Sequence, residues 1–547
     1  MSERLEKIIP MLRRNDPIIN SINLVNVRMD DIIADKLIDA LNANSFIAKI
    51  SLQKNQISKR ICMRIFDLLK AHPKLTHLEI IDNDVDDESI EHLSNVLISL
   101  PPNRDSIMLI LRKNSFDIRG ARALARAIEK NAPVVWLDLR GNDHIGDAGV
   151  KAIAFALTKN RTLSGLDLIN CKCGEEGAAE LSDALLNNTT LTTLLLQDRF
   201  EAKVIYSLGS MLSDANCRLQ ALYLWSCNIT TDLLQKLCES LKNNRCLTTL
   251  ALSYNKLNDD AAYYISRMIL ENRSITKLHL GANKFTRSAS SYFSICLNKN
   301  TTLQYLDISR NVIASEGLWP LSVALSGNKE LKFLDLRHNS IDFRGAAMFS
   351  DLFEQNESIM TLRLSGNKFG DPSIALMASK LKMNKSIKVL ELMDVDMTKK
   401  GFTAICHALK ENKTLQKLTV SQNNLNSEAM KSLCELLKVN TTLNSISMSG
   451  CGIDDQGCAY IAEGIGSNAS LSYLDISMNN FTVNGMNKIL NALLGNFSLL
   501  KIDYNNNTNN DQNLGDKIAD YLERNNYYQH NELMKDLAML ATDESFL

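Results

Sequence analysis

Leu331-Lys332-Phe333-Leu334-Asp335-Leu336-Arg337-His338-Asn339 places apolar residues at offsets 0, 3 and 5 and an Asn at offset 8. The stretch 28 residues before it, Leu303-Gln304-Tyr305-Leu306-Asp307-Ile308-Ser309-Arg310-Asn311, repeats the pattern. Eighteen registers fit along the 547 residues, the first at Ile19 and the last at Leu499; of the 17 intervals, 15 are 28 residues, one is 31 and one is 29. So regular a spacing leaves little room for a separate domain. Offset 8 is Asn in twelve units and Cys in three (Cys171, Cys227, Cys451), with Val27, Arg199 and Val395 departing. A chain leaving a strand exposes backbone groups that the next strand cannot satisfy, and a buried Asn amide supplies both a donor and an acceptor for them. Its recurrence predicts an internal ladder.

The second half of each unit has helical spacing, as in Gly345, Ala346, Phe349, Leu352 and Phe353. Gly opens that segment at 120, 149, 177, 317, 345, 401, 457 and 485, a small residue that lets helix and strand approach closely. Three residues before the motif 16 of the 18 units carry Asn, with Asp16 and His72 departing; the place follows the helix, where Asn tolerates a left-handed cap. One short parallel strand and one helix per unit cannot bury both the strand Leu residues and the helix stripe alone, so neighbouring units must complete the core. Helices are wider than strands, which puts the sheet on the concave side and the helices on the convex side of an α/β, right-handed solenoid.

These units resemble the leucine-rich repeat family, in particular its 28-residue class seen in ribonuclease inhibitor, in the GTPase-activating protein for Ran and in the sensor regions of nucleotide-binding innate immune receptors. The resemblance covers residues 19 to 526 and implies a horseshoe of about 18 repeats that binds a protein or large peptide on its concave face. Regulation of a small GTPase through surface residues is the alternative it implies, although no unique Arg carries over by motif. The richness in Asn, Lys and Ile also resembles effector proteins delivered by intracellular bacteria and protist cytosolic proteins, which implies the host or eukaryotic cytosol. Residues 1 to 18 are expected to cap the first unit as a short amphipathic helix split at Pro10. Residues 527 to 547 should cap the last as another helix with a short tail.

Side chains at offsets 2 and 4 point to the concave surface, and those at 6 and 7 turn along its edge. Read unit by unit, these places hold Trp136, Tyr223, Trp225, Tyr254, Tyr305, Phe333 and Tyr473. Trp and Tyr combine contact area with a polar handle and are common interface anchors. Trp136, Tyr223, Trp225, Tyr254, Tyr305 and Phe333 are therefore the candidate partner-binding residues, with Arg310, Arg337, Asp307 and Asp335 beside them. Packing against a neighbouring ring is the competing role. Asp recurs at offset 4 (138, 167, 307, 335, 475 and 503), read as a solvent-facing ladder pairing with Arg or Lys two or three positions along rather than as a catalytic pair.

Eleven cations and eleven carboxylates share the face, and the whole chain sums to a net charge of -1, so no groove tracking phosphates is expected. No apolar run reaches membrane-span length, and the N-terminal stretch lacks the apolar core of a secretory signal. Twelve Cys are too few for a disulfide scaffold and read as small buried hydrophobes; Cys171-Lys172-Cys173 is discounted as a metal motif. The Asn-x-Ser/Thr triplets at 188, 300, 384, 412, 440 and 496 follow the repeat period and are read as turn residues, not glycan acceptors. No triad is identifiable around the eight His. The expectation is a cytoplasmic, non-catalytic binding scaffold without cofactor or metal, monomeric when free, that engages neither nucleic acid nor membrane.

Overall fold

The computed structural model describes residues 3–27, 29–507 and 512–542. Among them a first helix, Glu3–Arg13, is followed by eighteen strand-then-helix pairs, from strand Ser21–Val25 to helix Gln512–Thr542. The first helix runs through Pro10 without a break, correcting the expected split. The tail residues 543–547 lie outside the described residues. The chain divides into two compact units, Met1–Leu257 with Arg267–Leu278, and Asn258–Ser266 with His279–Leu547. The division falls inside helix Asp259–Glu271 and strand Lys277–His279.

Each unit is a stack of the expected repeats. In the first, strands from Ser21–Val25 to Thr249–Ala251 pair in parallel, one repeat apart. The register slips at Ile107/Met108, just after the 31-residue interval from Leu75 to Ser106, which carries three extra residues. In the second, strands from Tyr305–Asp307 to Lys501–Asp503 do the same. Leu306, Leu334 and Leu362 stand in register on adjacent strands and none is more than 1% exposed, so consecutive repeats share one apolar interior. A strand–helix–strand connection between parallel neighbours is right-handed.

The Asn ladder is present and it is reciprocal. Asn339 Nδ2 donates to Ile308 O of the preceding repeat (3.0 Å) and to Leu336 O of its own (3.1 Å), while its Oδ1 accepts from Ile313 N (3.3 Å). Its own N–H donates to Asn367 Oδ1 of the following repeat at 3.0 Å. The three Cys substitutes reach the same acceptor with a thiol: Cys171, Cys227 and Cys451 point Sγ at Leu139 O (3.1 Å), Leu196 O (3.6 Å) and Val420 O (3.4 Å). At Arg199 the rung is missing; its side chain is exposed, and the N–H of Cys171 falls back on Leu168 O at 3.3 Å.

The Asn before the motif keeps the expected left-handed conformation at Asn131 (φ 57°), but in other repeats it has a different role. Asn160, Asn300, Asn328, Asn356 and Asn412 are extended, with φ between -67° and -86°. They form a second ladder: Asn356 Nδ2 donates to Leu325 O near the end of the preceding helix (2.7 Å), and its Oδ1 accepts from Ser358 N and Ile359 N. The carbonyls that a helix leaves unpaired at its C-terminus are thereby satisfied by the next repeat. The left-handed residue is instead at offset 7, where every unit but that of Asp198 has positive φ among the described residues. The triplet Asn residues are buried and their amides committed, Asn188 to Leu157 O and Asn440 to Leu409 O at 2.7 Å each.

Where the repeat ends or is interrupted, arginines replace that second Asn. Arg524 donates to Leu493 O (2.9 Å) and Asn496 O (2.8 Å), the carbonyls a following Asn would take, and Asn525 Nδ2 reaches Leu499 O at 2.8 Å. Beside Pro101-Pro102, Arg104 donates to Leu69 O, His72 O (2.9 Å) and Leu75 O (2.7 Å). His72, which occupies an Asn place, is 6% exposed with Nε2 unpaired. Burial, then the Arg104 charge, lowers its pKa below the ordinary 6.5. The unfolded chain therefore binds the proton more readily, and stability falls as pH drops from 6.5 toward the folded value. His72→Asn is expected to remove this loss, read as a flatter dependence of thermal midpoint on pH between about 5 and 7.

Gly residues at the helix starts admit close approach between successive helices, rather than between helix and strand. A Cβ at Gly177 would lie 2.6 Å from Asp147 Oδ1, which accepts the Gly177 N–H at 2.7 Å. All twelve Cys are free thiols, and eleven are buried, with Cys246 half-exposed. Burial pushes Cys62, Cys171, Cys227, Cys238 and Cys296 up to about 12. The thiolate is the nucleophile and these thiols are buried, so they should react with a maleimide at least about tenfold more slowly than a free thiol, and Cys246 first. Mass-mapping of labelled native protein checks that order.

Candidate protein-binding face

In the first unit Trp136 stands on strand Val134–Asp138, opposite Gly165 on the next strand. A Cβ at Gly165 would fall 2.1 Å from the indole Cε3, so the half-buried ring lies across bare backbone. The same outer row continues with Thr193, Ala221 and Thr249, in register on successive strands. This low floor ends beside Tyr223 and Trp225, which meet edge-to-face with centroids 5.3 Å apart and an interplanar angle of 74°. Tyr254, on a left-handed backbone with φ 63°, is 59% exposed, the highest exposure among these aromatics.

Two carboxylates beside Trp136 depart from the solvent-facing ladder. Asp138 and Asp167 are paired in register and are 0% and 1% exposed. Arg112 Nε donates to Asp138 Oδ2 at 2.6 Å, and Arg140 Nη2 donates to Asp167 Oδ2 at 2.6 Å, each from the preceding repeat. Burial, with Asp138 beside it, pushes the Asp167 carboxyl up even against Arg140, and the Asp138 carboxylate raises Arg112. Buried carboxylates so paired are structural, since a charge out of water must be matched by donors.

In the second unit Tyr305 and Phe333 occupy equivalent places on adjacent strands and stack at 4.0 Å with 7° between planes. His279 lies 4.6 Å from Tyr305, and the Arg363 guanidinium lies 5.0 Å from the Phe333 centroid. Four side chains from four consecutive strands thus form one half-buried column. Burial pushes the Tyr305 hydroxyl up to about 12. Arg363 Nε is 2.9 Å from Glu391 Oε1, a contact that is electrostatic rather than a directed hydrogen bond.

Asp335 is 1% exposed and held by Arg337 at 2.6 Å, so the surface here offers guanidinium groups and not that carboxylate. Asp307 is half-buried, accepting Ser309 N at 2.9 Å, and Arg310 is exposed on a left-handed turn. Trp136, Tyr223, Trp225, Tyr305 and Phe333 are thus packed on neighbours, while Tyr254 stands exposed. Sequence reasoning did not group His279, Arg363 and Gly165 with the rings they touch. The signal was available, because all three sit at offset 2 or 4 next to an aromatic unit. Among the described residues no group of His, Cys, Asp or Glu could hold a metal ion, and no helix is long and apolar enough to cross a membrane.

A family model described as Leucine Rich repeat matches residues 130–154, 243–266, 299–322, 355–378, 411–434, 439–462 and 467–490. NACHT, LRR and PYD domains-containing protein 14 of Mus musculus is 28% identical over 272 residues, 49% of this chain and 27% of that protein. Ribonuclease inhibitor of Sus scrofa is 27% identical over 227 residues, 41% of this chain and 49% of that protein. NACHT, LRR and PYD domains-containing protein 13 of Homo sapiens is 31% identical over 177 residues, 32% of this chain and 17% of that protein. The chain thus spans about half the length of these relatives or less. With the strand motif, the Asn ladders and the helix on every unit, the chain has the leucine-rich-repeat architecture and is similar, over part of its length, to ribonuclease inhibitors and to NACHT, LRR and PYD domains-containing proteins.

Proposed function

We propose that the protein is a non-catalytic scaffold, working in the cytosol, whose sheet face binds a folded protein or a large peptide. The observation that carries this reading is the set of amphipathic rings fixed along that face in both units: Trp136, Tyr223, Trp225 and Tyr254 in one, Tyr305 and Phe333 in the other. All but Tyr254 pack on a neighbour, so little side-chain entropy is lost on contact, while Tyr and Trp present area and a polar edge to a partner. The mixed charges, with Arg310 and Arg337 reaching solvent beside Asp307, suit a protein surface better than a polyanion.

Affinity capture from lysate with mass spectrometry identifies the partner, and calorimetry with Trp225→Ala and Tyr254→Ala then tests the place. Each substitution should weaken binding at least tenfold, about 1.4 kcal/mol. Unchanged affinity in both variants contradicts the assignment of the site.

A further inference from the structure

The chain's net charge of -1 hides a row of unneutralised cations on one edge of the first unit. On that edge the loops leading from each helix into the next strand run side by side. Thr192 N donates to Ser164 O (2.9 Å), Gln220 N to Thr192 O (2.7 Å), Thr248 N to Gln220 O (2.8 Å) and Thr276 N to Thr248 O (2.9 Å). Four of these five loops carry an exposed arginine within one position of the same place in the repeat: Arg161, Arg218, Arg245 and Arg273. Among the described residues none of the four meets a carboxylate in an ion pair. The two carboxylates in or bordering these loops are committed elsewhere, Asp214 Oδ1 accepting Asn216 N at 2.7 Å and Glu271 pairing with Lys242 at 3.3 Å. Cations are favoured beside helix C-termini, yet capping does not use up the row. It engages only Nη1 of Arg161, on Asn160 O at 2.7 Å, and of Arg245, on Asn244 O at 3.2 Å, with no such bond from Arg273 among the described residues.

We infer that this loop edge binds an acidic segment of a protein, one that presents Asp or Glu side chains from an extended chain. A guanidinium takes a carboxylate through two parallel N–H groups, and each of the four arginines keeps its Nε and Nη2 donors uncommitted. Four strand steps of about 4.8 Å separate the loop of Arg161 from that of Arg273, roughly 19 Å, the reach of about six extended residues. The five loops hold no aromatic ring on which a base could stack, and uncharged Ser164, Thr192, Gln220, Thr248 and Thr276 lie along them. A single-stranded nucleic acid is held by rings as well as cations, so this composition favours a polypeptide. The edge is separate from the sheet face, and the inference stands independently of the function proposed above.

Fluorescence anisotropy of the full chain with a labelled Asp- and Glu-rich peptide of about ten residues tests the inference. Saturable binding is expected, weakening at least about tenfold between roughly 50 and 300 mM salt as the charges are screened. The same peptide with Asn and Gln in place of its acids should not bind. Arg245→Gln and Arg273→Gln should each weaken binding about threefold, and the double variant about tenfold. Thermal midpoints near that of the natural chain show that the variants fold, and Arg273 has no backbone bond to lose. Trp225→Ala, on the sheet face, should leave the affinity unchanged. The inference is overturned by no binding at about 100 µM chain, by folded arginine variants that bind as before, or by a Trp225→Ala loss equal to theirs. Tighter binding of a single-stranded RNA of similar length, or of phosphatidylserine vesicles, than of the peptide overturns it as well.

Discussion

Replacing Asn339 by Ala is expected to destabilise the second unit by about 3 kcal/mol, the cost of stranding several buried backbone groups at once. The amide is 0% exposed and donates to Ile308 O and Leu336 O while accepting from Ile313 N. Ala removes all three partners, and Ile308, Leu336 and Ile313 are each 0% exposed. Each lost partner leaves a desolvated carbonyl or N–H, which costs more than the net worth of the bond that was made. The contrasting variant is Arg199→Asn, which restores a missing rung beside Cys171 and should stabilise the first unit by about 1 kcal/mol. Because stacked repeats open in parts, native-state hydrogen exchange is the suitable readout. Asn339→Ala should accelerate exchange across the neighbouring turns, and Arg199→Asn should slow it around residues 168 to 200. Equal exchange in the natural chain and both variants contradicts the role of the ladder.

Gly345→Val should cost about 3 kcal/mol or more, because a well-packed contact cannot absorb added volume without moving backbone. A Cβ there would lie 2.7 Å from the Cα of Ser315 on the preceding helix, 2.8 Å from Ser315 Oγ and 2.9 Å from Ile341 Cγ2. Ser315 is itself tied across this boundary, its hydroxyl donating to Asp342 Oδ1 at 2.5 Å and accepting the Asp342 N–H at 3.0 Å. Separating the helices therefore breaks that exchange as well as the packing of Ala346 and Phe349. Gly327→Ala is the control: nothing lies within 4 Å of its Cβ position, so the change should be neutral within about 0.5 kcal/mol. Denaturation midpoints of the two variants separate the close-contact explanation from a general intolerance of Gly replacement.

The strand register was legible because one spacing, apolar at offsets 0, 3 and 5, recurs with an Asn whose chemistry suits a buried turn. The role of the other Asn was not, since its partner lies 31 residues away and no local pattern distinguishes a side chain that reaches back from one that bends its own backbone. Gly141, Gly366 and Gly450, with Asn26, Asn170, Asp82 and Asp394, did mark the true left-handed place at offset 7. At the face, the stacking of Tyr305 on Phe333 followed from equal offsets in consecutive units. The burial of Asp138, Asp167 and Asp335 did not, because it depends on which Arg folds over each carboxylate.

The reading of the sheet face as the binding surface is tested most directly by hydroxyl-radical footprinting of the chain alone and with its captured partner. Trp136, Tyr223, Trp225, Tyr254, Tyr305 and Phe333 should lose reactivity in the complex, while Tyr206 and Phe155 on the helices keep theirs. Protection confined to helix-side residues, with the sheet-face rings as reactive as before, would contradict the account.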